Sequence, residues 1–370
     1  MTAQKATLQQ HPTAGQPACI PVPPDLSLPL INEPAQACPP EQGVDTVGAL
    51  QFLVGTWTNQ PLANGQGGPA NPYSYNLMVL PQQDPSSPQG YILKNMQYYE
   101  EITFSAIHGN AANRGGIGVQ VCNPLFYEQR IYISQKSDTP VGDTLVHAEN
   151  GAWLILVSSD QFPGPYGGPP ENPVPGSTPP TGYPTLVKQI AVPHGNSVLA
   201  LGQAPPFPLQ PVAGSPTIPD LTGTIIPQGV DGTPYNTESV GNPNVHFTLN
   251  PTAPLAQALS VAPVDQYIMF QVDTDYLDGS GQVTNIGFEQ QHADVVRYTA
   301  TYWLEQLAGS DGFSQLQYVQ TIYLRIPLGN EDVVFPHVTC NTLTLVQSPP
   351  LPPPGPAPSE AAQIQLDGQG

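Results

Sequence analysis

Positive charge is scarce in this chain: eight Lys and Arg stand against 28 Asp and Glu in 370 residues, a formal net charge of -20. Nucleic acids and anionic membrane surfaces reward clustered cations, so neither is expected as a partner, and the acidity serves solubility. Charge of either sign is thin, at 10% of residues, which is not the composition of a charge-solvated disordered protein. Long apolar runs are missing as well. None approaches the ~18 residues needed to span a bilayer. The opening MTAQKATLQQHPTAGQPACIPVPP has no basic segment followed by an apolar one, so no secretory leader is expected and a cytoplasmic location is. Cys19, Cys38, Cys122 and Cys340 are too few and too scattered for a disulfide framework or a zinc site. Reduced thiols suit that location, with a Cys19 to Cys38 bridge the open alternative. Neither Gly-x-Ser-x-Gly nor His-Glu-x-x-His occurs, so serine-hydrolase and zinc-protease chemistry find no support.

What is abundant is proline (48) and glycine (35), set among Tyr-, Val- and Thr-rich segments. Such a chain is expected to be all-β with long decorated loops. Residues 1–44 lack any sustained period and read as an extended arm, and the Pro-rich 348–370 reads as a disordered tail. Between them lies one domain, 45–347. Strand signals fall at Tyr73–Leu80, Tyr91–Phe104, Val119–Ser134, Thr144–Ser158, a hairpin turning at Pro193–Asn196, Tyr267–Leu277, Val283–Glu289, Ala293–Gln306, Gln315–Ile326 and a last strand that His337 begins. A short helix is expected at Ala253–Ser260. About ten strands, interrupted by insertions at 105–118, 159–184 and 203–263, describe a single antiparallel β-barrel.

The last strand supplies the first candidate. Pro336 fixes the backbone before His337 and removes a ladder donor, which places the imidazole at a sheet edge or barrel rim. Neutral imidazole is a common iron ligand, and a strand-end histidine bonded to solvent is the plain alternative.

Several segments, in order, resemble the nitrobindin-like haem-binding β-barrels. Phe52-Leu53-Val54-Gly55-Thr56-Trp57 is similar to the opening Gly-x-Trp motif of that family, and Tyr99-Glu100-Glu101-Ile102-Thr103-Phe104 to its Tyr-x-Glu-Glu-x-x-Phe strand. Phe126 to Tyr132, followed by Leu145-Val146-His147-Ala148-Glu149-Asn150-Gly151, looks like its Tyr-x-Gln-Arg and Leu-His-Ala-Glu-x-Gly pair. Phe335-Pro336-His337-Val338 resembles its Pro-His-Leu segment. The resemblance implies haem b with His337 as axial ligand, and Trp57 and Thr56 beside the cofactor. It also implies chemistry on NO or peroxynitrite, with isomerisation of the latter to nitrate. It covers about half of the chain and none of the insertions. The chain departs from it after Trp57, where Thr58-Asn59-Gln60 replaces two glycines.

The insertions are long enough to cap an open haem face, which suggests a peroxidase or oxygenase acting on an enclosed organic substrate. In that case His108 and Arg114 would be the distal catalytic pair, the histidine moving a proton between peroxide oxygens and the arginine stabilising the departing charge. A solvated loop is the plainer reading of both. His147 and Glu149, on one strand face, read as a structural hydrogen-bond network. His194 reads as exposed in its turn. Glu100 and Glu101, being adjacent, face opposite sides of their strand and form no acid–base pair. From a different class, an iron-free lipocalin-like carrier of an apolar molecule fits the same barrel.

Overall fold

A computed structural model describes residues 47–59, 73–82, 90–107, 111–112, 120–133, 144–158, 185–205, 209–236, 247–276 and 280–346. The N-terminal arm, the 159–184 insertion and the C-terminal tail lie outside them. Among the described residues fifteen strands form one sheet. They are β1 (Gly55–Thr58), β2 (Tyr75–Pro81), β3 (Tyr91–Met96), β4 (Tyr98–Ala106), β5 (Ala111–Ala112), β6 (Gln120–Ile133), β7 (Thr144–Ser158), β8 (Leu186–Val192), β9 (Asn196–Gly202), β10 (Val212–Ala213), β11 (Val264–Asp273), β12 (Gln282–Asn285), β13 (Asp294–Leu307), β14 (Phe313–Leu328) and β15 (Glu331–Val346). Ten of them, in the order β1-β4-β6-β7-β8-β9-β11-β13-β14-β15, close into an antiparallel barrel through the pairing of β1 with β15. Two short helices, α1 (Ala253–Val261) and α2 (Gly287–His292), complete it. No helix among the described residues is long and apolar enough to cross a membrane.

Side chains alternate across a strand, so the register of β13, β14 and β15 sorts the interior into layers. Leu304, Leu316 and Leu343 share one row, Tyr302, Tyr318 and Asn341 the next polar one, and Tyr298, Ile322 and His337 a row nearer the opposite end. The leucine row is the floor. Beneath it a 3-10 turn, Gly48–Leu53, buries Leu50 and Leu53, and Trp57 Nε1 donates to the Leu53 carbonyl at 2.7 Å. The His337 row is the mouth.

Three sequence expectations need correction. The Tyr91–Phe104 strand breaks at Gln97, because β3 pairs with β2 while β4 pairs with β1 and β6. The Val283–Glu289 strand ends at Asn285, and the chain then turns into α2. His337 does not start its strand: β15 begins at Glu331, and Pro336 sits inside it opposite Tyr323. The proline is tolerated because β2 covers only Val338 to Cys340 on the other side, which leaves Pro336 at a free edge.

The 203–263 insertion, where described, braces the outer wall and not the mouth. Ile225, Tyr235 and Leu255 join Tyr75, Leu77, Val79 and Tyr91 of β2 and β3 in a second core against Trp303, Val338 and Cys340. Tyr91 donates to the Asp231 carbonyl at 2.6 Å, and the Tyr75 and Thr248 hydroxyls lie 3.0 Å apart. Ile225, Tyr235 and Leu255 bury themselves on the sheet face that the barrel interior does not use, while Ala204 and Leu209 pack against the interior core.

Candidate functional site

Strand alternation brings three histidines to the mouth from three places in the chain. His337 points inward from β15, and His147 does so from β7, two residues before the buried Glu149. His194 sits in the turn from β8 to β9, where Gly195 takes a φ of +109° and packs against Ile286 at the start of α2. The helix thereby holds the turn over the rim. The His147 and His194 rings lie 5.5 Å apart. His194 is exposed, as its sequence context suggests.

His337 is half-buried, and its Nε2 lies 2.9 Å from Asn76 Oδ1, which also accepts from Thr339 Oγ1 at 3.0 Å. A carbonyl oxygen can only accept, so Asn76 selects the tautomer with hydrogen on Nε2 and puts the ring's lone pair on Nδ1. Burial, together with the facing His147 and His194, pushes the His337 pKa down to about 3. The imidazole is therefore neutral across the physiological range, the form that binds iron. Partial desolvation and, separately, repulsion from His147 lower the His194 pKa, with Glu289 opposing. Among the described residues no three His, Cys, Asp or Glu side chains are placed to hold a bare metal ion. His337 offers one imidazole, the number and kind of protein ligand that a haem-type cofactor would take.

Under the mouth lies a buried ionic knot. Lys188, 0% exposed, directs its three ammonium protons to Glu149 Oε1 at 3.4 Å, Tyr298 Oη at 2.8 Å and Tyr302 Oη at 3.0 Å. Four rings, those of Tyr127, Trp153, Tyr298 and Tyr302, surround its Nζ at 5.1 to 5.7 Å. Glu149 accepts from Tyr127 at 2.9 Å and meets His147 Nε2 at 3.3 Å. Burial alone would raise the Glu149 pKa, yet Lys188 and His147 overcome it and hold the carboxyl at about 2. Burial lowers the Lys188 pKa against the pull of Glu149. With every proton matched to an acceptor, the knot is an ion pair.

Deeper still, Glu100 accepts from Gln129 at 2.6 Å, Tyr318 at 2.7 Å and Asn341 at 2.8 Å. Burial raises its pKa to about 7 despite those donors. Its neighbour Glu101 points out, bridged to Arg130 at 3.5 Å, so the two carboxyls are on opposite faces as their adjacency requires.

The structure does not bring Trp57 and Thr56 together with His337. Trp57 pairs with Leu345, eight residues along β15, about 26 Å away at ~3.3 Å per residue. Its indole plugs the floor, and Thr56 faces the outer wall, where its hydroxyl meets that of Thr103 at 3.0 Å. His108 and Arg114 lie outside the described residues. Asn76 and Lys188 are the residues that sequence reasoning missed. Lys188 had a signal, since it alternates with Leu186 and Ile190, both in the core. Asn76 had none, as it meets His337 across 261 residues.

Comparisons with known proteins add little to this geometry. No protein-family model and no curated protein matches the chain. Among solved structures, Rv2717c from M. tuberculosis is similar over 81% of this chain and 96% of its own, at 12% identity and a TM-score of 0.34.

Proposed function

We propose that the protein binds haem b at the barrel mouth through His337 and reacts there with NO, peroxynitrite or a peroxide, most simply as a peroxynitrite isomerase. The observation that carries this reading is the placement of His337: an imidazole that faces inward at the mouth with its Nε2 tied to Asn76 Oδ1. Bound haem would supply an open coordination position for a small diatomic or peroxidic ligand. Asn76 and Thr339 fix the plane of the imidazole. The tyrosine row and leucine floor close the barrel to water from below. Isomerising peroxynitrite to nitrate consumes no electron and no proton, so the chain need only bind, orient and confine.

A second reading, haem-dependent peroxidation or oxygenation of an organic substrate, is favoured by one observation. His147, backed by Glu149, stands at the same mouth as a group able to hold and move a proton. The iron-free carrier is less well supported, because it gives no role to the His337–Asn76 pair at the mouth.

Stopped-flow mixing with peroxynitrite separates the readings. Haem-loaded protein is expected to speed decay to nitrate beyond free haem, and His147→Ala to leave that rate unchanged. Peroxide-driven oxidation of an organic donor, falling by about 10²-fold in His147→Ala, would establish the second reading. Decay no faster than with free haem would overturn the first.

A further inference from the structure

The polar row beneath the mouth contains more aromatic hydroxyls than packing requires. Tyr302 stacks on Tyr318 with centroids 5.2 Å apart and planes at 23°, and Trp153 meets Tyr302 edge-on at 5.3 Å. Tyr318 Oη lies 2.7 Å from Glu100 Oε2 and 2.9 Å from Tyr98 Oη, while Tyr98 donates to the Cys340 carbonyl at 2.8 Å. All of these side chains are within 4% of complete burial.

We propose that Tyr318 is a redox-active tyrosine: it gives one electron to a one-electron oxidant and passes its hydroxyl proton to Glu100. The products are a neutral tyrosyl radical and a protonated Glu100, so charge and atoms balance. A buried phenol becomes a strong acid once oxidised, and needs a base already in hydrogen-bond contact. Glu100 Oε2 is that base. The Tyr98 hydroxyl, which lies within reach of both the Cys340 carbonyl and Tyr318, can then donate to the phenoxyl oxygen.

Position selects Tyr318 over its neighbours. The Lys188 ammonium lies against Tyr127, Trp153, Tyr298 and Tyr302 and opposes a positive hole on any of them. Tyr318 stacks on Tyr302 but is not among the four rings against the ammonium, and it is bonded to a carboxyl, so a hole entering the aromatic chain settles there. From Ile322 in the mouth row, Tyr318 is four residues down β14, about 13 Å at ~3.3 Å per residue. The natural oxidant would be a peroxide-oxidised haem at the mouth, and that source alone rests on the function proposed above.

The test needs no haem. Haem-free full-length protein is flashed with ruthenium tris-bipyridyl and persulfate, frozen, and examined by electron paramagnetic resonance. A neutral tyrosyl signal is expected that narrows with ring-deuterated tyrosine, survives in Tyr276→Phe, falls in Glu100→Gln and is lost in Tyr318→Phe. On unsubstituted protein, double resonance should detect an exchangeable hydrogen bond to the phenoxyl oxygen. That measurement stands even if a variant fails to fold. A signal unchanged in folded Tyr318→Phe, or a radical with no exchangeable hydrogen bond, would overturn the assignment. A positive result without haem binding would leave Tyr318 redox-active and sink only the proposed oxidant.

Discussion

Lys188 brings three protons to three buried acceptors, and with His147 it keeps Glu149 a carboxylate against its burial. Removing one partner of a buried pair leaves the other charge uncompensated. Lys188→Met is therefore expected to cost about 3–5 kcal/mol in urea unfolding. Adding Glu149→Gln to it should restore part of the loss, because the stranded charge is gone. Glu305 behaves oppositely. It is fully buried with a bond from Gln315 to one oxygen, and burial raises its pKa from 4.5 to about 8. Folding then takes up a proton between pH 4.5 and 8, so this residue's contribution declines as pH rises through that window. Glu305→Gln should gain stability over the parent protein between pH 5 and 9, as measured by denaturant midpoints. A gap that narrows with rising pH would contradict it.

At the scale of elements, the barrel has one narrow seam between neighbouring strands. β9 and β11 share a single register pair, Leu201 with Asp273, and a Cβ on Gly202 would overlap the Gln271 carbonyl of β11. Gly202→Ala forces those strands apart and is expected to cost about 1–3 kcal/mol. Thermal unfolding checks this, and an unchanged midpoint would show that the seam flexes. Much of this architecture was legible in the sequence, because strand alternation has a period of two. His147, Glu149 and Trp153 could be placed on one face of β7 from spacing alone. What was not legible depends on pairing at a distance. The β3 to β4 break at Gln97 reflects a change of partner strand, the end of β12 reflects a helix docking on a turn, and the outward placement of 203–263 reflects a second apolar surface. The site divided in the same way. His337 announced itself through Pro336, whereas Asn76 and the His147–His194 pair became neighbours only when the barrel closed.

The whole molecule is layered along the barrel axis: leucine floor, tyrosine and glutamate row, lysine knot, histidine mouth. Acid should dismantle it from the upper layers. Glu149 at about 2 and His337 at about 3 are each held below their ordinary values of 4.5 and 6.5. For both, the unfolded chain binds the proton more readily than the folded one. Their contribution is complete above pH 6.5, declines as His337 would charge below that, and declines further below 4.5 as Glu149 would protonate. His337→Gln should therefore flatten the acid limb of the stability curve, losing less stability than the parent protein as pH falls from 6.5 to 3. Above all these layers stands the assignment of iron to the mouth. Titration of purified protein with ferric haem b, followed in the Soret region, tests it most directly. The expected result is saturable binding of one haem per chain that is abolished in folded His337→Ala and retained in Trp57→Phe. Equal binding by His337→Ala, or no saturable band in the parent protein, would contradict it.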